Sequence, residues 1–260
     1  MNKAGWAQID ITPPLGLPMG GRGSRFTPGA EVIDPLLAQA LVVADDAGRR
    51  LLVISLDMIG MSYHATSELR FELRAATGIG FDAIVVNASH THSGPMTGFE
   101  GYATLKAKPR GLKAYESNVI ARTVLLAVEA LARLAPAEVR VCRGVSDIGI
   151  NRRRRDVEGN VGMGPDPDGT YNRDLWVLDV RTGAGRYVAF SYGCHPVLVY
   201  GYAWDGISAD WPGACRRRLV EALGPNTQVQ FIRGLAGNVR PRQVADLERG
   251  IFRRPTTAED

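Results

Sequence analysis

Three of the chain's four histidines stand where hydrophobic runs end. His90 and His92 lie in Val85-Val86-Asn87-Ala88-Ser89-His90-Thr91-His92-Ser93-Gly94-Pro95, a β-branched run that stops at two imidazoles and a tight turn. His195 closes Val188-Ala189-Phe190-Ser191-Tyr192-Gly193-Cys194-His195-Pro196 in a matching way. Neutral imidazole is a good zinc ligand, so strands that carry histidines to their exposed ends can build a metal site. On extended backbone, residues i and i+2 point to one side, which aims His90 and His92 into one cavity. A lone histidine is more often a hydrogen-bonded core or rim residue. Two beside a turn, with a third in a similar context, favour a site.

A catalytic zinc takes three protein ligands and keeps a position for water. Two carboxylates are candidates to complete the set. Asp57 ends the apolar run Leu51 to Leu56, and Asp210 stands in Ile207-Ser208-Ala209-Asp210-Trp211-Pro212. Each also has a structural reading: Asp57 caps a loop or helix, and Asp210 caps the helix starting near Pro212. His64 begins a polar helix and is expected in solvent. Arg152 opens Arg152-Arg153-Arg154-Arg155 just after a strand-like segment. It can enter a cleft and hold a substrate oxygen through charge-assisted hydrogen bonds, while Arg154 and Arg155 stay solvated. The run could also touch nucleic acid, but no aromatic residues interleave with it to stack bases. Met19-Gly20-Gly21-Arg22-Gly23 lacks the ending of a P-loop, yet can bring backbone N–H groups close to a ligand.

Positioning these residues falls to eight strand-like runs: Ala7–Thr12, Leu37–Ala44, Leu51–Leu56, Ala83–Ala88, Glu138–Val145, Leu175–Val180, Tyr187–Tyr192 and Gln228–Ile232. Helical spacing marks Thr66–Thr77, Tyr115–Leu134 and Trp211–Leu223. Strands and helices interleave, so the expected class is α/β, a mixed β-sheet core flanked by helices. The stretch from Asn151 to Arg173 is rich in Arg, Gly, Asp and Pro and has little periodicity, which makes it the best boundary candidate in the chain and predicts a long irregular loop.

A 260-residue chain with 45% hydrophobic residues can bury one large core, and residues 1–260 read as a single domain. A net charge of +4 does not demand a nucleic-acid partner. The three cysteines have no CxxC spacing and read as reduced, mostly buried thiols. The N-terminus has no apolar signal-like region, which predicts a cytoplasmic protein, and no run is long enough to span a membrane. Thr256 and Glu259 fit a capping box with no helix after it, so the chain reads as the truncated front of a longer protein. The polar tail from Arg240 is expected to be loosely held.

Taken in order, seven motifs resemble the N-terminal catalytic domain of the neutral/alkaline, non-lysosomal ceramidases and their bacterial relatives. They are Asp10-Ile11-Thr12-Pro13-Pro14 with Met19-Gly20-Gly21; Ser55-Leu56-Asp57; His90-Thr91-His92-Ser93-Gly94-Pro95; Gly149-Ile150-Asn151-Arg152; Cys194-His195-Pro196; Ile207-Ser208-Ala209-Asp210; and Ala236-Gly237-Asn238-Val239-Arg240-Pro241. The resemblance implies a ceramidase-like fold and a zinc-dependent hydrolase acting on an N-acyl amide of lipid metabolism. It implies one zinc ion with His90 and His195 as ligands. His92 would lie beside the metal as a proton shuttle or transition-state contact, and Arg152 would approach the substrate. The backbone at Met19 and Gly20 would line the pocket. The sequence departs from the family's G-D-V-S-P motif, since Asn238 replaces the aspartate and Arg240 the serine. The family's remaining ligands, a Glu and a Tyr, fall beyond this segment. The expected substrate is therefore ceramide-like or a smaller amide or ester, cleaved by a metal-activated water. The alternative is a non-catalytic fragment that keeps the fold without a complete metal site. The amidohydrolase barrel, which also opens with H-x-H, needs more downstream histidines than His195 alone.

Overall fold

A computed structural model of the protein describes residues 1–21, 27–97 and 110–257. Strand β1 (Lys3–Asp10) is followed by the short β2 (Glu31–Val32) and the hairpin β3 (Leu37–Ala44) and β4 (Arg50–Leu56). Helix α1 (Tyr63–Thr77), capped by the Ser62 hydroxyl, leads to β5 (Ile84–Ala88), and α2 (Arg110–Ala132) comes next. Then come β6 (Ala135–Pro136), β7 (Glu138–Val145), β8 (Gly149–Arg155), β9 (Val161–Asp166), β10 (Asp174–Thr182) and β11 (Gly185–Tyr192). Helix α3 (Val199–Tyr202), β12 (Gly206–Ile207) and α4 (Asp210–Leu223) precede β13 (Thr227–Arg233). Three short strands follow: β14 (Val239–Pro241), β15 (Ala245–Asp246) and β16 (Ile251–Phe252).

The expected mixed core consists of two sheets. One has the order β5-β4-β3-β1-β6 and the other β13-β11-β10-β7. In each sheet the edge pair that matters for the site, β4 with β5 and β11 with β13, is parallel. Alternation along the strands sorts the side chains into layers. Ala38, Ala40 and Val42 of β3 and Leu52, Ile54 and Leu56 of β4 pack with Leu69, Leu73, Val119, Ile120 and Ala127 of α1 and α2. The opposite face, with Trp6, Leu41 and Val53, meets Val180, Tyr187 and Ala189 of the second sheet. That sheet's far face, with Val188, Phe190, Val229 and Phe231, is covered by α4 through Trp211, Cys215, Leu219 and Val220. The result is four layers: helices, sheet, sheet, helix.

A polar row seals the contact between the sheets. Gln39, Ser55 and Asn87 are direct cross-strand neighbours on β3, β4 and β5. Their side chains donate to Val229 O (2.7 Å), Phe231 O (2.8 Å) and Arg233 O (3.2 Å), alternate carbonyls on the free edge of β13. Beside this seam, Arg216 of α4 holds Asp57 with Nη1 to Oδ1 at 3.0 Å and Nη2 to Oδ2 at 2.6 Å. Both side chains are almost wholly buried.

Two expectations are overturned. The stretch from Asn151 to Arg173 is not an irregular loop throughout. It starts inside β8, which pairs with β9 on one side and β14 on the other. The hairpin escapes periodicity because its outer half, Arg153–Arg155, is charged and exposed. The tail is also held: β15 pairs with β16, Arg253 N–H donates to Val244 O at 2.7 Å, and Pro255 is buried. The Thr256–Glu259 capping box extends past the described residues. All three cysteines are free, but Cys142 is exposed. Among the described residues no helix is long and apolar enough to cross a membrane.

Arg216→Ala would leave the Asp57 carboxylate buried without its partner. We expect a loss of about 3–5 kcal/mol in denaturant unfolding. A loss below about 1 kcal/mol would mean that water or another group takes the guanidinium's place.

Candidate metal centre

Parallel pairing brings the ends of β4 and β5 to one edge, and those of β11 and β13 to one edge of the second sheet. The carboxyl ends of parallel strands are where α/β sheets place their ligand sites. His90 and His92 follow β5, and His195 follows β11. Their ligand nitrogens all lie within 4.8 Å of one another. Ring centroids are 5.0 Å apart for His90–His92 and His90–His195, and 5.6 Å for His92–His195.

Convergence of His90 and His92 does not come from extended backbone. The strand ends at Ala88, and His90 takes a left-handed conformation with φ 68°. That region is costly for a residue with a side chain and is typical of functional sites. The turn is pinned by His90 N–H to Met58 O (2.9 Å) and His92 N–H to Pro196 O (3.1 Å).

Each imidazole is tied through Nδ1 to a backbone carbonyl. His90 bonds Ile59 O at 2.6 Å, His92 bonds Gly21 O at 2.7 Å, and His195 bonds Ala236 O at 2.6 Å. A carbonyl can only accept, so it fixes the proton on Nδ1 and the lone pair on Nε2. Such outer contacts orient metal-ligating histidines. Burial holds the rings neutral: it lowers His90 and takes His92 and His195 down to about 3, with mutual repulsion and Arg152 adding to the effect. Gly21, at φ 77°, makes the close approach possible, because a Cβ there would sit 2.6 Å from the His92 ring. Three neutral, oriented imidazoles are a donor set that fits zinc.

Arg152 lies near all three rings and is half-buried, whereas Arg153, Arg154 and Arg155 are exposed. Its Nε donates to Gly237 O at 3.1 Å and its backbone N–H to Asn238 O at 2.8 Å. His64 is exposed, as expected.

The two carboxylates do not join the histidines. Asp57 is spent on Arg216 and on Leu37 N–H (3.0 Å). Asp210 accepts from Leu198 N–H, Val199 N–H and Trp211 N–H at 2.8–2.9 Å, and burial still raises it to about 6. Met19 is buried in the core, and the N–H groups of Met19 and Gly20 are used by Thr27 O and Gly94 O. What that turn offers the cluster is the Gly21 carbonyl. Two further residues beside the cluster, Tyr200 and Arg233, had no place in the sequence reading, and Arg240, singled out there as replacing a serine, joins them. Tyr200 has its ring 6.3 Å from that of His92. Arg233 acts electrostatically on His90, and Arg240 on Arg152. Arg233 had a signal, since it stands directly after the strand-like run Gln228–Ile232.

The layered sheets and this edge define a ceramidase-like α/β fold. The solved structure of neutral ceramidase from Pseudomonas aeruginosa is similar at 22% identity and a TM-score of 0.72, covering 92% of this chain and 39% of that one. A ceramidase complexed with C2 is similar at 21% identity and a TM-score of 0.70, over 92% of this chain and 38% of that one. The chain thus spans about two fifths of the length of these structures. No family model matches the sequence, and a search of curated proteins finds no match.

In the metal-free protein the folded histidines bind fewer protons than the unfolded chain between the ordinary 6.5 and about 3. Their contribution to stability is complete above pH 6.5 and is lost as pH falls through that window. Asp210, raised from 3.8 to about 6, works in the opposite sense as a single carboxyl. Thermal melts of metal-free protein should therefore show Tm falling from pH 7 to pH 5. A flat Tm over that range would mean that the folded rings carry protons.

Proposed function

We propose that this chain houses the zinc-binding histidines of a hydrolase that cleaves N-acyl amide bonds. The supporting observation is the cluster of three neutral imidazoles, each anchored by Nδ1 to a carbonyl, at the carboxyl ends of β5 and β11. His90 and His195 would hold the ion. Bound zinc would supply Lewis acidity for the scissile carbonyl and lower the pKa of water toward neutrality. His92 faces the same space with a neutral Nε2, suited to accept a proton or hydrogen bond from the reacting groups. Arg152, with its Nε fixed on Gly237 O, would orient the substrate and steady negative charge developing on the carbonyl oxygen. The similarity to ceramidase structures supports an amide substrate with an acyl chain, lipid or smaller.

A second reading draws on Asp57 and Asp210. With both carboxylates committed elsewhere, the described donor set carries no negative charge to offset a dication. A fragment that keeps the fold without competent metal binding would look the same.

Zinc titration and turnover on N-acyl amides separate the two. We expect one zinc per chain, lost in His90→Ala and His195→Ala. His92→Ala should keep the zinc while turnover drops by about 10²–10⁴-fold. Equal loss of zinc in His92→Ala would make His92 the third ligand. Absence of zinc binding in the unaltered chain would favour the inactive fragment.

A further inference from the structure

We propose that Arg240, Arg152 and Tyr200 form an anion-binding subsite beside the histidine cluster, and that the amide cleaved there carries a carboxylate within a few atoms of its scissile bond. The catalytic half of this proposal rests on the hydrolase reading above. The binding half rests on the guanidinium geometry alone.

Arg240 is held in place from two sides. Its Nη2 donates to Tyr200 Oη at 3.0 Å, and its guanidinium carbon sits 4.7 Å over the Phe252 ring. Tyr200 in turn neighbours His92. Pairing of β14 with β8 sets Arg240 opposite Ile150, two residues before Arg152. Arg152 and Arg240 are therefore close enough to repel one another, and burial together with Arg153 and Arg240 lowers Arg152. Arg233, lowered by burial, adds a third guanidinium near His90.

Nothing described balances this charge. Arg143, Arg173, Arg186 and Arg216 each have a carboxylate partner. Among the described residues Arg152, Arg233 and Arg240 have none. Asp57 and Asp210, the buried acids at these strand ends, are already committed. Three half-buried guanidiniums around three neutral imidazoles make the site strongly cationic, and a divalent metal would make it more so. Partly desolvated guanidinium forks match the two oxygens of a carboxylate. A neutral amide would leave the forks unpaired, and sites built around such polar groups discriminate steeply against ligands that do not satisfy them. In the reaction, water adds across the C–N bond. The acyl carbon gains oxygen, the nitrogen departs as the amine with a proton, and the substrate's own carboxylate is unchanged.

The test uses the full chain, zinc-loaded and zinc-free. Two acidic probes, N-octanoylglycine (carboxylate on the amine side) and N-octylsuccinamic acid (carboxylate on the acyl side), are compared with the neutral N-octanoylethanolamine and N-octylbutanamide. At least one acid should exceed its neutral partner by tenfold or more in kcat/KM. It should also bind the zinc-free protein in calorimetry. Arg240→Ser should cut both that ratio and the calorimetric affinity by tenfold or more. Arg240→Lys should cut them less, and Arg155→Ser should leave both unchanged. Thermal melts confirm that each variant is folded. Acid binding that depends on Arg240, without hydrolysis of any probe, supports the subsite and overturns the hydrolase reading. Equal hydrolysis of acids and neutral amides overturns the subsite and keeps the hydrolase. Failure of both acids to bind, or binding indifferent to Arg240→Ser, also overturns the subsite.

Discussion

An edge strand buried between two sheets leaves a line of carbonyls with no ladder partner, and each orphan costs about 1–3 kcal/mol. Here the edge is that of β13, and side chains of the opposing sheet answer it. Because Gln39, Ser55 and Asn87 lie in one cross-strand row, while Val229, Phe231 and Arg233 alternate along one strand, β13 must run across β3, β4 and β5. That crossing sets where the strand ends meet. Asn87 lies three residues before His90, and Arg233 three before Ala236, whose carbonyl orients His195. Asn87 also accepts from Arg233 N–H at 2.9 Å, so one amide side chain clamps the two sheets next to the cluster.

The local elements were legible because burial imposes periodicity. Leu37–Ala44 and Glu138–Val145 fall where the sequence places them, and the other long runs differ by a few residues at their ends. The histidines were legible as a group because each stands just past an apolar run. Their geometry was not. The left-handed turn at His90 depends on Met58 O and Ile59 O, which belong to a different strand's exit loop. The β8–β9 hairpin was hidden for a different reason: its outer half, Arg153–Arg155 paired with Val161–Met163, gains ladder hydrogen bonds but is exposed, so its composition follows solvent. The carboxylates misled because a strand-end Asp looks the same in sequence whether it meets a metal or a guanidinium. Only the arrival of α4, more than 150 residues later, gives Asp57 its partner.

Charge at the cluster is governed by desolvation more than by pairing. The imidazoles stay neutral because burial and neighbouring guanidiniums both oppose protonation, and the carbonyls to which they are anchored fix their tautomer. The same burial acts on Arg152 and Arg233, which cannot give up a proton near neutral pH. The site therefore combines groups that escape charge with groups that cannot.

The seam also has a kinetic meaning. Its three hydrogen bonds join residues 190, 176 and 146 positions apart, and parallel β11–β13 pairing has to form around a crossover helix. Chains dominated by such distant contacts fold slowly, since loop-closure entropy is lost before packing repays it. Until β13 docks, His90 and His92 are a local pair with no His195 beside them. A metal ion met early would find only that pair, and the Ala236 carbonyl that orients His195 is not yet in place. If a metal is bound here, its three-imidazole site exists only once the edge is finished, so loading would follow folding rather than guide it.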